Sequence, residues 1–154
     1  ADLVNGLYEH ELTNLIQKYG EEKRALAIAR VICRARTVKR IERTNELAGI
    51  IESVKKREGK LHPATKVFQA LRIAVNDELG SLEEALPQAV ELLKSSGRIA
   101  VISFHSLEDR IVKDLFKRRE GMTMITKKPI VPTAEEIQRN PRARSAKLRV
   151  YEKN

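Results

Sequence analysis

Gly97-Arg-Ile-Ala-Val-Ile-Ser-Phe-His-Ser-Leu-Glu-Asp-Arg-Ile-Val-Lys113 is the stretch on which the fold class turns. After the glycine, Ile99 to Phe104 form a short continuous apolar run, which predicts a strand covered on both faces, as in a parallel sheet. Ser106 then opens a predicted helix carrying Ile111, Val112, Leu115 and Phe116, with Asp109 as a capping-box-like partner. Upstream, Leu82, Leu86, Ala89, Val90 and Leu93 repeat at helical spacing, although Pro87 implies a kink or a late start. Helix, strand, helix is an α/β signature.

The carboxyl end of that strand gathers His105, Ser106, Glu108, Asp109 and Arg110. Ligands collect at this edge of open α/β sheets, and a helix start offers backbone amides to an anion. The simpler reading is that Ser106 caps the helix while Glu108 and Asp109 suit its positive end. His105 beside Ser106 suggests a base and a nucleophile, but no G-x-S-x-G elbow surrounds the serine, so a hydrolytic triad is disfavoured. The three histidines, at 10, 62 and 105, are too dispersed for a metal site to be expected.

Working outward, the first 95 residues read as helices. Leu12, Leu15, Ile16 and Tyr19 share a face, with Gly20 placed to end their helix. A second helix is expected over 21–36, with Ala25, Ile28, Ala29 and Ile32 as its stripe, and a third after Thr44 as cap. Gly59 interrupts a basic turn, 55–60. A helix after His62-Pro63 is expected to turn Phe68, Leu71, Val75 and Leu79 inward, with Lys66, Gln69 and Asn76 opposite, and to break at Gly80-Ser81. Beyond Gly121, residues 122–131 predict a strand, Thr133 a capped short helix ending at Asn140-Pro141, and the alternation of Ala146, Leu148 and Val150 with Lys147, Arg149 and Tyr151 a last, half-buried or edge strand.

With 30 Lys plus Arg against 21 Asp plus Glu, the net charge of +9 fits a polyanion partner as readily as simple solubility. Three Phe, three Tyr and no Trp argue against a surface that stacks exposed bases. The only cysteine, Cys33, excludes an internal disulfide and a Cys-rich zinc site, and reads as a buried small residue on a helix. No run of 18 apolar residues predicts a membrane span, and no secretory leader is legible, so a cytoplasmic protein is expected. The basic segments are 34–40, 55–57, 117–119 and the run Arg139, Arg142, Arg144, Lys147, Arg149. On one face they would bind phosphates; singly they are solvated helix ends.

Three segments together resemble one family: residues 62–79 (HPATKVFQALRIAVNDEL), 97–113 quoted above, and 140–149 (NPRARSAKLR), with Tyr19-Gly-Glu-Glu-Lys23 as a fourth. In order and spacing they are similar to the bacterial 16S ribosomal RNA cytosine-N4 methyltransferases, and the resemblance extends over essentially all 154 residues. It implies a partial doubly wound methyltransferase sheet preceded by an all-helical inserted domain, the insert over 1–60 and the carboxy-terminal half of the methyltransferase domain over 61–154. It implies S-adenosylmethionine as cofactor and N4 of a cytidine in the 16S RNA of the small ribosomal subunit as acceptor. His105, Ser106 and Asp109 would stand at the rim of the catalytic pocket. Ser103, Glu108, Arg110, Arg142, Arg144 and Lys147 would face substrate, unless Arg144 pairs with Glu108 or Asp109 to lock the last strand. The sequence contains no G-x-G element, so the principal cofactor residues are expected upstream of Ala1, and the chain alone is expected to be inactive and to self-associate. The competing readings are a non-enzymatic basic RNA-binding module and a structural fragment.

Overall fold

A computed structural model describes residues 1–57, 59 and 61–154. The basic turn and the domain boundary expected near residue 60 involve Glu58 and Lys60, which lie outside the described residues. The chain forms two compact units, Ala1–Glu78 and Leu79–Asn154.

The first unit is helical: α1 (Asp2–Gly6), α2 (Glu9–Gly20), α3 (Ala25–Val38), α4 (Thr44–Glu52) and α5 (Thr65–Asn76). Leu12, Ile16, Ile28, Ile32, Ile51 and Val67 are its fully buried centre. Gly20 ends α2 as expected, and the glycine is required there by close approach. A Cβ would lie 2.7 Å from the Lys66 carbonyl oxygen, so α5 crosses α2 at backbone distance. The second helix begins four residues later than expected. Glu21 takes a left-handed conformation (φ 47°), and the Glu22 carboxylate accepts the Arg24 amide, which makes a turn of residues 21–24. Thr44 is the first residue of α4 and not its cap; the Glu46 carboxylate accepts the amides of Glu42 and Arg43 (both 3.0 Å). On α5 the buried face is Val67, Ala70 and Ile73, with Phe68 and Leu71 at its margin and Val75 exposed. The expected face is thus rotated by about one residue, because small Ala70 and the Lys66 backbone must meet Gly20. Cys33 is half-buried.

The expected break at Gly80-Ser81 also moves. Asp77 takes the left-handed conformation (φ 47°), and α6 (Glu78–Glu91) runs unbroken through Gly80, Ser81 and Pro87. In the second unit α6 is followed by β1 (Arg98–Ser103), α7 (Ser106–Arg118), β2 (Met122–Met124), α8 (Ala134–Arg139), a 3-10 helix (Pro141–Ser145) and β3 (Lys147–Lys153). The sheet has the order β1-β3-β2, antiparallel throughout. Its inner face buries Tyr151 with Leu86 and Val90 of α6 and Val112 and Phe116 of α7; the Phe116 and Tyr151 rings stack with centroids 4.0 Å apart.

Two strand expectations are corrected. Of β1, Ile99, Val101 and Ser103 turn inward, while Ile102 (58% exposed) and the following Phe104 (52%) face out, so among the described residues only one face is covered. β3, expected as a half-buried or edge strand, is the central strand, and Arg149 and Tyr151 are its buried positions. The register sets Ile99 opposite Tyr151, Val101 opposite Arg149 and Ser103 opposite Lys147, and directly opposed side chains share a face. Tyr151, Arg149 and Lys147 therefore lie on the inner side. The strand expected over 122–131 shortens to β2 and one bridge, Ile130 to Leu148, with Pro129 and Pro132 on either side of it. The short helix after Thr133 forms as read, the Thr133 hydroxyl accepting the Glu136 amide (3.1 Å).

Candidate functional site

β1 ends at Ser103, and Phe104 and His105 carry the chain directly into α7. The cap is His105, not Ser106, which is the first helical residue and is exposed. His105 Nδ1 accepts the Glu108 amide (3.2 Å), while Glu108 Oε2 accepts the amides of Phe104 (2.7 Å) and His105 (3.1 Å). Glu108 is therefore the reciprocal capping partner, the role expected for Asp109. Because Nδ1 is an acceptor, the neutral ring carries its proton on Nε2, which lies 3.5 Å from Glu108 Oε1. The imidazole thus has the Glu108 amide on its Nδ1 side and the Glu108 carboxylate facing its Nε2 side.

Asp109 is thereby released for a different task. Its carboxylate receives the Arg149 guanidinium twice, Nε to Oδ1 at 2.7 Å and Nη2 to Oδ2 at 3.3 Å, and the Lys147 ammonium on Oδ2 at 3.1 Å. Arg149 and Asp109 side chains are 9% and 13% exposed. The Arg149 hydrogen bond leads in holding the Asp109 carboxyl below the usual range; burial opposes it and Lys147 assists. Asp109 in turn raises the Arg149 pKa. Burial pushes the neighbouring Tyr151 phenol up, with the Arg149 charge opposing. The lock expected from Arg144 is made by Lys147 and Arg149, so the last strand is tied to the start of α7 through different residues.

The other expected site residues sit as follows. Ser103 is buried, its hydroxyl 3.4 Å from the Lys147 carbonyl oxygen. Arg110 is exposed on α7 and lines a cleft of about 350 Å³ with Glu83, Asp114 and Arg118. Arg142 and Arg144 are exposed on the 3-10 helix, which Asn140 opens by accepting the Arg142 amide (3.2 Å). The structure thus brings together Ser103, His105, Glu108, Asp109 and Lys147, and leaves Arg142 and Arg144 facing solvent beside them in sequence. In the sequence Arg149 is only one more charge of the basic run. Its burial follows from strand register, which its linear neighbourhood does not reveal.

This arrangement can present fixed cations and a rigid turn to an anionic ligand. It does not make a complete site for a sulfonium cofactor. Glu108 is taken up by backbone amides and Asp109 by two cations, so neither is available to a ribose diol, and no glycine lines the Arg110 cleft.

Comparison with known proteins places the chain. The sequence profile of the MraW methylase family matches residues 1–154. The chain is 53% identical over 155 residues to "Ribosomal RNA small subunit methyltransferase H" of Coprothermobacter proteolyticus, covering 99% of the chain and 52% of that protein. The protein of the same name from Persephonella marina is also 53% identical over 155 residues, covering 97% of the chain and 53% of that protein. The one from Geobacter sulfurreducens is 51% identical over 174 residues, covering 99% and 56%. The chain spans about half the length of these relatives. Matched along its whole length by the family profile, it belongs to the MraW methylase family.

Proposed function

We propose that the chain forms the RNA-facing part of an S-adenosylmethionine-dependent methyltransferase that modifies N4 of a cytidine in 16S ribosomal RNA of the small subunit, in the cytoplasm. The observation that carries this reading is the 53% identity, over nearly the whole chain, to proteins named small-subunit ribosomal RNA methyltransferases. The net charge of +9 suits that substrate, and so do the exposed side chains of Arg110, Arg142 and Arg144. Among the described residues no helix is long and apolar enough to cross a membrane.

In this reading residues 1–60 are the helical insert and 61–154 the carboxy-terminal half of a doubly wound domain. β1 is a sheet edge with an uncovered outer face. That edge and face suit further strands and helices outside these 154 residues, and the cofactor's principal ligands belong there too. S-adenosylmethionine supplies an already electrophilic methyl group. The task of this chain is to align the acceptor nitrogen and hold the RNA. His105, Ser106 and Asp109 stand at the pocket rim, and Ser103, Glu108 and Lys147 hold that rim in shape.

The test is methyl transfer by the full-length gene product from labelled S-adenosylmethionine to small-subunit RNA, followed by nucleoside mass spectrometry. N4-methylcytidine is the expected product. RNA binding without label transfer would overturn the enzymatic reading in favour of a basic RNA-binding module.

A further inference from the structure

In the helical unit, the Glu22 carboxylate between α2 and α3 is buried and accepts both the Lys55 ammonium and the Arg24 amide (3.0 Å). Burial opposes its ionisation, yet the Lys55 hydrogen bond, the Arg24 amide and the charges of Lys55 and Lys66 draw its pKa below the usual glutamate value. A buried ion pair contributes little net stability once desolvation is counted. Its consequence here is geometric: it fixes the Lys55 head in the wall of a cleft of about 450 Å³.

Lys23, Arg24 and Lys66 line the same cleft, so among the described residues four Lys or Arg side chains share it with one carboxylate. Lys66 donates to the Glu21 carbonyl (2.9 Å), and an ammonium has three donors, so neither Lys55 nor Lys66 is saturated by the partners named here. The start of α5 lies in the same wall. Its cap is Ala64, with no side-chain cap bond, and no acid stands in its first turn, where Lys66 sits instead. Lysine in a first turn opposes the helix dipole. The positive end and the cations thus add together. Among the described residues no Phe or Tyr lines the cleft, which removes a platform for a base and leaves the sugar-phosphate backbone as the ligand that fits.

We propose that this cleft is a second RNA-contact site, taking backbone phosphates of the RNA that the α7 rim addresses. The identity of that RNA rests on the function proposed above, whereas the phosphate chemistry does not.

Lys23→Gln with Lys66→Gln in the full-length protein tests it, with Lys39→Gln and Arg40→Gln as a charge-matched pair elsewhere on the same unit. Lys55 stays intact, because its loss would strand Glu22. Binding of a small-subunit RNA fragment is followed by fluorescence anisotropy across a salt series. The cleft pair reduces the salt slope by about 1.5 units and weakens binding about tenfold near 0.1 M salt, while the control pair changes the slope by less than about half a unit. Lys23→Gln alone, at an exposed position, gives about half the slope change and guards against a folding defect. Equal slopes for the two pairs, or an unchanged slope for the cleft pair, overturn the site. Binding needs no methyl transfer, so the two proposals fail separately. Methylation with an unchanged slope sinks the cleft alone, and a cleft-dependent slope without methylation sinks only the enzymatic reading.

Discussion

Arg149 stands on the inner face of the last strand and reaches Asp109, at the start of the helix after β1, with two hydrogen bonds of 2.7 and 3.3 Å. The pair joins the chain's final strand to the turn that carries the candidate site. Both side chains are largely buried, so removing Asp109 leaves Arg149 without its carboxylate, a loss of about 3–5 kcal/mol for a buried pair, whereas removing Arg149 leaves Asp109 paired with Lys147. Asp109→Asn is expected to lower the unfolding free energy by several kcal/mol, since it leaves two cations without their carboxylate, and Arg149→Met by less, since Lys147 still pairs with Asp109. Urea titration followed by circular dichroism reads this. A loss within about 0.5 kcal/mol for Asp109→Asn would show that the pair is incidental.

The same pair sets an acid limit. The Asp109 pKa is lowered in the folded state, so its contribution is complete above the unfolded aspartate value of about 3.9 and disappears as pH falls through the folded value. The melting temperature of the wild type should fall more steeply between about pH 5 and 2 than that of Asp109→Asn. Parallel curves for the two proteins would remove Asp109 from the acid response.

How much of this was legible in the sequence depends on whether the deciding interaction was local. Gly20 as helix stop, the Thr133 cap and the strand after Gly97 were all readable, because each is settled within a few residues. The orientation of β3 was not. Alternation alone leaves open which side of the strand is buried; register with β1 and the partners Asp109 and Phe116, over 30 residues away in sequence, turn Arg149 and Tyr151 inward. The cap at α7 was off by one for a related reason: imidazole Nδ1 can accept an amide as a serine hydroxyl does, and Glu108 then closes the box. The open outer face of β1 was misread because an apolar run shows what a strand can bury and not whether its cover lies in the same chain.

The His105 cap separates structure from chemistry. Asparagine is a good cap, so His105→Asn should keep stability within about 0.5 kcal/mol, while His105→Ala should cost about 1 kcal/mol. If His105 also serves methyl transfer at the rim, His105→Asn lowers kcat despite an unchanged melting temperature. Activity that merely tracks stability across both variants would leave His105 as a cap and nothing more.

The uncovered outer face of the sheet predicts self-association of the 154-residue chain by itself. Ile102, Phe104, Ile130 and Val131 are each more than half exposed, and among the described residues β1 has a free edge. Sedimentation velocity over a range of concentrations should show dimers or larger species, and Ile102→Lys should shift them toward monomer. A strictly monomeric, cooperatively unfolding wild type would contradict this.

The basic run before the last strand divides into exposed charges and one engaged by Asp109, which salt can separate. Lys147 is engaged by Asp109, whereas Arg142 and Arg144 are exposed on the 3-10 helix and Asn140 fixes its start. Charges that are exposed yet positioned by a capped turn suit phosphate contact better than a flexible tail does. Arg142→Ala with Arg144→Ala in the full-length protein should reduce the salt slope of RNA binding by up to about two units, with little change in melting temperature. Lys147→Ala should do the reverse in proportion, lowering stability through Asp109 more than it flattens the slope. These outcomes are read in one anisotropy series and one thermal melt per variant. If the double arginine variant lowered the melting temperature and left the slope intact, Arg142 and Arg144 would be structural, and the RNA-facing rim would shrink to Arg110 and the His105–Asp109 turn.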